Sequence, residues 1–291
     1  MKLYTIDAGN FKLDGGAMFG VVPKSIWNKL NPADENNMCS WALRCLLIED
    51  ENKLVLIDTG MGTKQDAKFF SHYYMFGNKT LESSLAENGF SKNDVTDVIL
   101  THLHFDHCGG AIDRIDEQLK PAFPNAKFWT NQQHWLWATE PNAREKASFL
   151  KENILPIKES GQLHFFDSTS IELQNNQLAS IHSGIIEKLQ IRFANGHTKA
   201  MMLPQIEYHN RTIVFMADLL PSVAHIPLPY VMSYDMFPLI TLEEKNSFLQ
   251  EAAHNNYILY FEHDLYNECC TVHQTEKGIR VKETGTLESF F

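Results

Sequence analysis

No stretch of the chain approaches the length of an apolar membrane span. Met1 to Asp14 lacks the sustained apolar core of a signal peptide, so the cytoplasm is the expected location. Positive charge is also scarce: 25 Lys and Arg stand against 36 Asp and Glu, a net charge of −11 at neutral pH. A general nucleic-acid binder needs a basic face, so no nucleic-acid partner is expected. Cysteine is sparse and odd in number (Cys39, Cys45, Cys108, Cys269 and Cys270) and has no framework spacing, which argues against structural disulfides. No Pro/Gly/Ser-rich linker, charge block or low-complexity tract divides the 291 residues, and the 44% hydrophobic content is enough for one large core. The expectation is a single domain over 1–291, made of two similar halves dividing near 175–185.

What is present concentrates in Thr101-His102-Leu103-His104-Phe105-Asp106-His107-Cys108-Gly109-Gly110, directly after the apolar run Val95 to Leu100. His102 and His104 are two apart, so on extended backbone their rings point the same way and can grip one cation. Asp106 and His107 are adjacent where the chain must turn, and can face a second point. Imidazole with carboxylate suits zinc, iron, manganese or cobalt, without a thiolate preference. Gly109 and Gly110 let the backbone turn onward. A histidine-rich loop without metal is the plainer alternative, but four potential ligands in six positions behind an apolar strand favour a metal site.

Along the chain, Lys2 to Ile6 reads as a short strand. Leu13 to Gly20 is a glycine-rich turn, whose Met18 and Phe19 read equally as a lip over a site or as core residues. Trp41 to Glu49 and Lys53 to Asp58 form a strand pair. Leu81 to Asn88 reads as a helix capped by Gly89. Ile112 to Leu119 is expected as a turn or short helix, Ala126 to Thr130 as a strand, and Arg144 to Asn153 as a helix. Asn131 to Ala138, with His134, Trp135 and Trp137, could lie over the site. Leu163 to Phe166, Ile171 to Leu173, Ile181 to Ile185 and Leu189 to Phe193 read as strands. The last leads into Asn195-Gly196-His197-Thr198, a second place for a ligand. Thr212 to Ala217 is a buried strand ending in Asp218, where a charge needs a partner or caps a turn. Three prolines keep Leu219 to Tyr230 irregular, and irregular stretches beside a site are often functional. Thr241-x-x-Glu244 is a capping box opening a helix to about Asn255. Tyr257 to Phe261 reads as the last core strand, and His263 follows it.

The ten-residue segment resembles the H-x-H-x-D-H signature of the metallo-β-lactamase superfamily. In its fuller form it is most similar to the N-acyl homoserine lactonases and the related organophosphate hydrolases. The resemblance implies an α/β fold, a four-layer αβ/βα sandwich of two mixed β-sheets with helices on the outer faces. It also implies two divalent metals, most simply zinc, with iron, manganese or cobalt as alternatives. One metal would take His102, His104 and His197, the other Asp106, His107 and His263, and Asp218 would bridge them. Asp58 would orient ligand histidines. True β-lactamases generally lack the bridging aspartate, and flavodiiron enzymes carry a glutamate where this chain has His104. The first argues against β-lactamase activity and the second favours hydrolysis over redox chemistry, so the resemblance implies hydrolysis of a lactone or ester with a hydrophobic portion, a small-molecule substrate. An aryl ester or phosphotriester hydrolase of the same superfamily, or a silent metal-binding regulatory module, is the alternative. Asp106 is expected to orient the attacking water and pass its proton to the leaving group. The lactonases place a tyrosine soon after the bridging aspartate; here the stretch is Leu219-Leu220-Pro221, so His225 and Tyr230 are the expected stand-ins. Met18, Phe19, Phe105, Trp135, Trp137 and Phe237 are candidates for the hydrophobic pocket. A homodimer and a complete absence of membrane association complete the expectation.

Overall fold

The computed structural model describes residues 1–167 and 178–291; the strand expected at Ile171 to Leu173 lies outside them. The chain divides into two compact units. One comprises Met1–Gly9, Leu43–Thr169 and Ser183–Glu187; the other comprises Asn10–Ala42, Ser170–His182 and Lys188–Phe291.

The first sheet uses β1 (Lys2–Asp14), β2 (Met38–Asp50), β3 (Lys53–Ile57) and β4 (Asp97–Ile99). A separate ribbon follows, β5 (Ile112–Ile115) and β6 (Gln118–Pro121), before β7 (Lys127–Asn131) and β8 (Leu163–Phe166) rejoin the sheet. Its order is β1-β2-β3-β4-β7-β8. It is mixed: β2 and β3 are antiparallel, whereas β3, β4, β7 and β8 run parallel. The core of the first unit is built on it from Leu47, Leu56, Val98 and Phe128, with Leu85 and Ile157 from the helices Leu81–Glu87 and Lys151–Glu159. Burying one such Leu or Phe side chain stabilises by about 1.5–3 kcal/mol.

The second sheet holds β9 (Ser180–His182), β10 (Leu189–Ala194), β11 (Met201–Tyr208), β12 (Arg211–Phe215), β13 (Ile258–Tyr260), β14 (Cys269–Thr275) and β15 (Gly278–Gly285). Its order is the reverse of the chain order, and β12 with β13 is its parallel pair. The helix Pro238–Asn255 supplies the crossover that a parallel pair requires, and buries Phe248, Leu249 and Ala252.

Four expectations change. Ile112 to Leu119 is a β-hairpin, because Asp116 and Glu117 take positive φ (48° and 61°), the geometry that joins antiparallel strands in two residues. The helix expected over Arg144 to Asn153 starts at Lys151, and a shorter helix occupies Gln132–Thr139. The Thr241 capping box is not used: the helix begins at Pro238, whose fixed φ suits a first turn, and Glu244 is engaged elsewhere. Tyr257 to Phe261 is not the last strand, since the β14–β15 hairpin follows it. Strand β11, with Pro204 inside its Met-Met-Leu-Pro run, is unannounced by alternation because nearly all of it is buried. All five cysteines are free and buried. No helix among the described residues is long and apolar enough to cross a membrane.

Candidate metal centre

A simple regularity places the donor residues. His102, His197, Asp218 and His263 each lie three residues beyond the last residue of a strand, after Ile99, Ala194, Phe215 and Tyr260 respectively. Phe215 and Tyr260 are register partners in the parallel pair, so Asp218 and His263 leave the sheet side by side. Carboxyl ends of parallel strands are where sites form in such sheets.

In the first unit, β4 runs into the extended segment 101–104, then the single helical turn Phe105–Cys108. The rings of His102 and His104 lie 4.5 Å apart, and those of His102 and His107 lie 3.9 Å apart. Donor atoms of His102 and His104 lie within 4.8 Å of one another, as do those of Asp106 and His107. The backbone of this loop is held from outside. Thr59 donates its N–H and hydroxyl to the His107 carbonyl, and His134 Nε2 accepts the Leu103 N–H at 2.8 Å. The buried Lys64 donates to the Gly109 carbonyl; burial pulls its pKa down to about 8. Gly109 and Gly110 do not use a glycine-only φ here. They are required by close approach: a Cβ would stand 2.0 Å from the Met61 carbonyl oxygen and 2.2 Å from that of Thr59.

The rings are turned by partners distant in sequence. Asp58, at φ 57°, accepts from the Thr101 N–H and hydroxyl and sits 3.1 Å from His107 Nδ1. A non-glycine residue in the left-handed region carries strain, and three hydrogen bonds over-determine it. Asp58 therefore has the expected orienting place, and His107 Nε2 is left toward Asp106, 3.9 Å from its carboxylate. Glu145, fully buried, meets His104 Nε2 at 3.0 Å and also accepts from Trp137 Nε1 and Asn142 Nδ2.

In the second unit, Asp218 receives two imidazoles on its two oxygens. His197 Nε2 is 3.2 Å from Oδ2, and His263 Nε2 is 3.2 Å from Oδ1. Each ring is fixed at its other nitrogen. His197 Nδ1 is 2.8 Å from Asp235, and His263 Nδ1 donates to the Ala42 carbonyl at 2.8 Å. A neutral imidazole that donates from Nδ1 has only a lone pair at Nε2. Two lone-pair acceptors 3.2 Å apart repel, so the contact calls for a metal cation between them or a proton on Nε2. That donor chemistry, nitrogen and carboxylate oxygen with no sulfur, fits divalent metal ions of the zinc group. Ala217, just before Asp218, is itself left-handed (φ 40°). The turn carrying His197 is gripped by Glu244, which accepts the Asn195 and Gly196 N–H groups at 2.7 and 3.0 Å. Burial raises the Glu244 pKa to about 7 against those two donors. A Cβ at Gly196 would stand 2.3 Å from the Thr241 nitrogen, so that turn also needs glycine.

The expected stand-ins for the missing tyrosine part company. His225 is buried, donates from Nε2 to the Met18 carbonyl (2.9 Å) and meets Ser222 Oγ through Nδ1 (2.8 Å). It stacks on Phe19 at 4.7 Å, and burial pushes its pKa down to about 3. A neutral ring with both nitrogens occupied has no proton to offer a substrate; it pins the Met18–Phe19 turn instead. Met18 and Phe19 are core residues, not a lip, and Trp135 also packs in the core. Tyr230 is half-exposed, its ring edge-on to Phe19, and its hydroxyl makes no hydrogen bond among the described residues. Phe105 packs against Phe69 and Tyr73, with ring centroids 5.3 and 4.8 Å away. Burial and then the Asp106 charge push Tyr73 up to about 12. Glu145, Asp235, Phe69 and Tyr73 went unread in sequence, and Glu244 was read as part of a helix cap. Phe69-Phe70-Ser71-His72-Tyr73 is an aromatic run that marks itself, but nothing local marks Glu145 or Asp235.

Comparison with known proteins places these features among relatives. The family model described as the metallo-beta-lactamase superfamily matches residues 44–172. The N-acyl homoserine lactonase AiiA of Bacillus thuringiensis subsp. kurstaki is 30% identical over 166 residues, covering 53% of this chain and 56% of the lactonase. The chain thus spans a little over half the length of the curated relatives it matches. The crystal structure of a "probable metal-dependent hydrolase" from Staphylococcus aureus superposes with a TM-score of 0.82 at 26% identity, covering 98% of this chain and 96% of that one. AidC, a dizinc quorum-quenching lactonase in complex with a product, superposes with a TM-score of 0.74 at 22% identity, covering 96% and 92%.

Proposed function

The chain belongs to the metallo-β-lactamase superfamily and has its fold, and from that premise we propose that it is a dinuclear metal-dependent hydrolase of a lactone or ester with a hydrophobic portion. The observation that carries this is Asp218, whose two carboxylate oxygens each face a different imidazole at 3.2 Å. A carboxylate so placed suits two cations, one at each oxygen. His102, His104 and His197 would hold one, Asp106, His107 and His263 the other, with Asp218 shared. Zinc is the expected metal, and iron, manganese or cobalt would accept the same donors. Two bound divalent ions would lower the pKa of water and polarise the substrate oxygen.

The chain's own residues do the rest. Asp106 orients the attacking water, takes its proton and returns it to the leaving alkoxide. The Tyr230 hydroxyl donates to the oxygen that becomes negative. Phe69, Tyr73 and Phe105 provide an apolar wall for an acyl or aryl group. Lactonase relatives support the small-molecule substrate class. The expected location is the cytoplasm and the expected assembly a homodimer.

The test is turnover of four compounds, an acyl homoserine lactone, a simple γ-lactone, an aryl ester and an aryl phosphotriester, with metal analysis on the same sample. Chelation should abolish activity and added zinc, manganese or cobalt should restore it. Asp218→Ala should remove it in every metal. Lactone turnover places the chain with its lactonase relatives, and turnover of the aryl compounds alone assigns it to their organophosphate branch. Two bound metals with no turnover of any compound would refute the hydrolase assignment.

A further inference from the structure

Loop 222–227, residues 264–267 and β15 line a half-open cavity of about 240 Å³ within the second unit. Its walls are mostly apolar, with Leu30, Val223, Ile226, Tyr266 and Val281, and carry the polar Asn31, Ser222 and Asn267. Two charged side chains reach it, Asp264 and Arg280. The Asp264 carboxylate is satisfied by the chain itself. Oδ2 accepts from the Val223 N–H at 2.9 Å, and Oδ1 accepts from the Tyr266 and Asn267 N–H groups at 3.0 and 2.7 Å. Asn267 Nδ2 adds a fourth donor at 3.2 Å. Arg280 is in the opposite position. Its one hydrogen bond is from Nη1 to the neighbouring Ile279 carbonyl, and among the described residues it forms no ion pair. In a chain with 36 acidic residues, a half-buried guanidinium with four unused N–H groups beside an apolar wall is an unfilled demand for an anion.

We propose that this cavity binds a small amphiphilic monocarboxylate, its carboxylate on Arg280 and its hydrocarbon against Val223, Ile226 and Val281. A planar fork of N–H groups matches a carboxylate bidentately, and apolar walls discriminate against bare anions. The volume suits an acid of roughly six to eight carbons. Ester or lactone hydrolysis releases an acid of this class, so the ligand would be a reaction product. That link rests on the proposed hydrolysis, whereas the binding does not. Asp264 follows the ligand residue His263 directly and is tied to Val223, so an occupant would press on the segment that carries His263.

Titration calorimetry of sodium hexanoate into chelator-stripped full-length protein tests the site without any dependence on turnover. Saturable binding with one site per chain and a Kd of about 1 mM or tighter is expected. Arg280→Gln should weaken it about tenfold or more, because a charge-assisted pair is replaced by a neutral one. Ala224→Trp, which fills the cavity from its rim, should abolish it. Circular dichroism confirms that both variants fold, and a variant that does not is replaced by Arg280→Lys, which should weaken binding less than Gln. The proposal is overturned if hexanoate does not saturate, if 1-hexanol or inorganic phosphate binds as tightly, or if Asp218→Ala rather than Arg280→Gln removes the binding.

Discussion

Glu145 offers the sharpest test of how the donor rings are set. It is 1% exposed, and three N–H donors converge on it: His104 Nε2 at 3.0 Å, Trp137 Nε1 at 2.6 Å and Asn142 Nδ2 at 3.2 Å. Glu145→Gln keeps the volume but leaves one acceptor oxygen and adds an NH2 group. If the amide oxygen stays with Trp137 and Asn142, the NH2 group faces His104 Nε2. His104 must then carry its lone pair at Nε2 and its proton at Nδ1, and the ring loses the nitrogen it would turn toward a metal. Partners of this kind are worth about 10–100-fold in metal affinity, or about 1.4–2.7 kcal/mol. The assay is zinc titration against a competing chelator, with thermal melting of the metal-free protein alongside. Metal affinity should fall by that factor, for one of two metals. Unchanged affinity with only a lower metal-free melting temperature would refute the tautomer argument and leave Glu145 a packing residue.

Gly196→Ala should cost about 3 kcal/mol or more, because the new Cβ meets backbone atoms of Thr241 at 2.3 and 2.4 Å that no side-chain change relieves; urea unfolding measures it. Tyr230→Phe should lower kcat about 100-fold on the best compound of the panel with KM within about twofold, and an unchanged kcat removes Tyr230 from the chemistry. Glu244, raised by burial from 4.5 to about 7, holds in the folded state a proton that the unfolded chain gives up. Its contribution to stability is therefore fully present below pH 4.5, declines by about 3 kcal/mol as pH rises to 7 and is flat above. Glu244→Gln should remove that slope from pH-dependent urea unfolding of the metal-free protein, and an unaltered slope would place its origin elsewhere.

The proposed donor residues could be named from sequence because they are local. His102, His104, Asp106 and His107 share six positions, and His197, Asp218 and His263 each follow a strand that its apolar run announces. Of their partners, Asp58 was read through the family resemblance, and the others were not legible, because the fold brings them from afar. Asp58 lies 49 residues from His107, Glu145 lies 41 from His104, Asp235 lies 38 from His197, and Ala42 lies 221 from His263. The same contrast runs through the fold. The antiparallel pair β2–β3 is written in adjacent runs, whereas the β14–β15 hairpin lacks a glycine-marked turn at its tip until Gly278 and was missed. The Thr241-x-x-Glu244 pattern was misread because a tertiary contact took Glu244: the two N–H groups before His197 compete for the carboxylate and win. His225 was misjudged for the same reason, since no local signal marks a ring whose partner is the carbonyl of Met18, 207 residues earlier.

Buried charge gives an argument for metal number that is independent of any ligand spacing. Asp58, Asp106, Glu145, Asp218, Asp235, Glu262 and Asp264 are each at most 8% exposed, and each contacts or directly adjoins a donor histidine. Imidazoles that bind a metal do so in the neutral form and offset no charge. Uncompensated carboxylates out of water cost several kcal/mol apiece. One divalent cation would leave five of the seven negative charges unopposed, and two would leave three, which the backbone and side-chain N–H donors to Asp58, Glu145 and Asp264 can hold. Metal analysis of protein loaded and then freed of excess ion should therefore give two equivalents per chain. Asp218→Asn, which removes one charge and the shared oxygen, should retain at most one. A wild-type chain that saturates at a single equivalent with full turnover would refute both the charge count and the bridging role of Asp218.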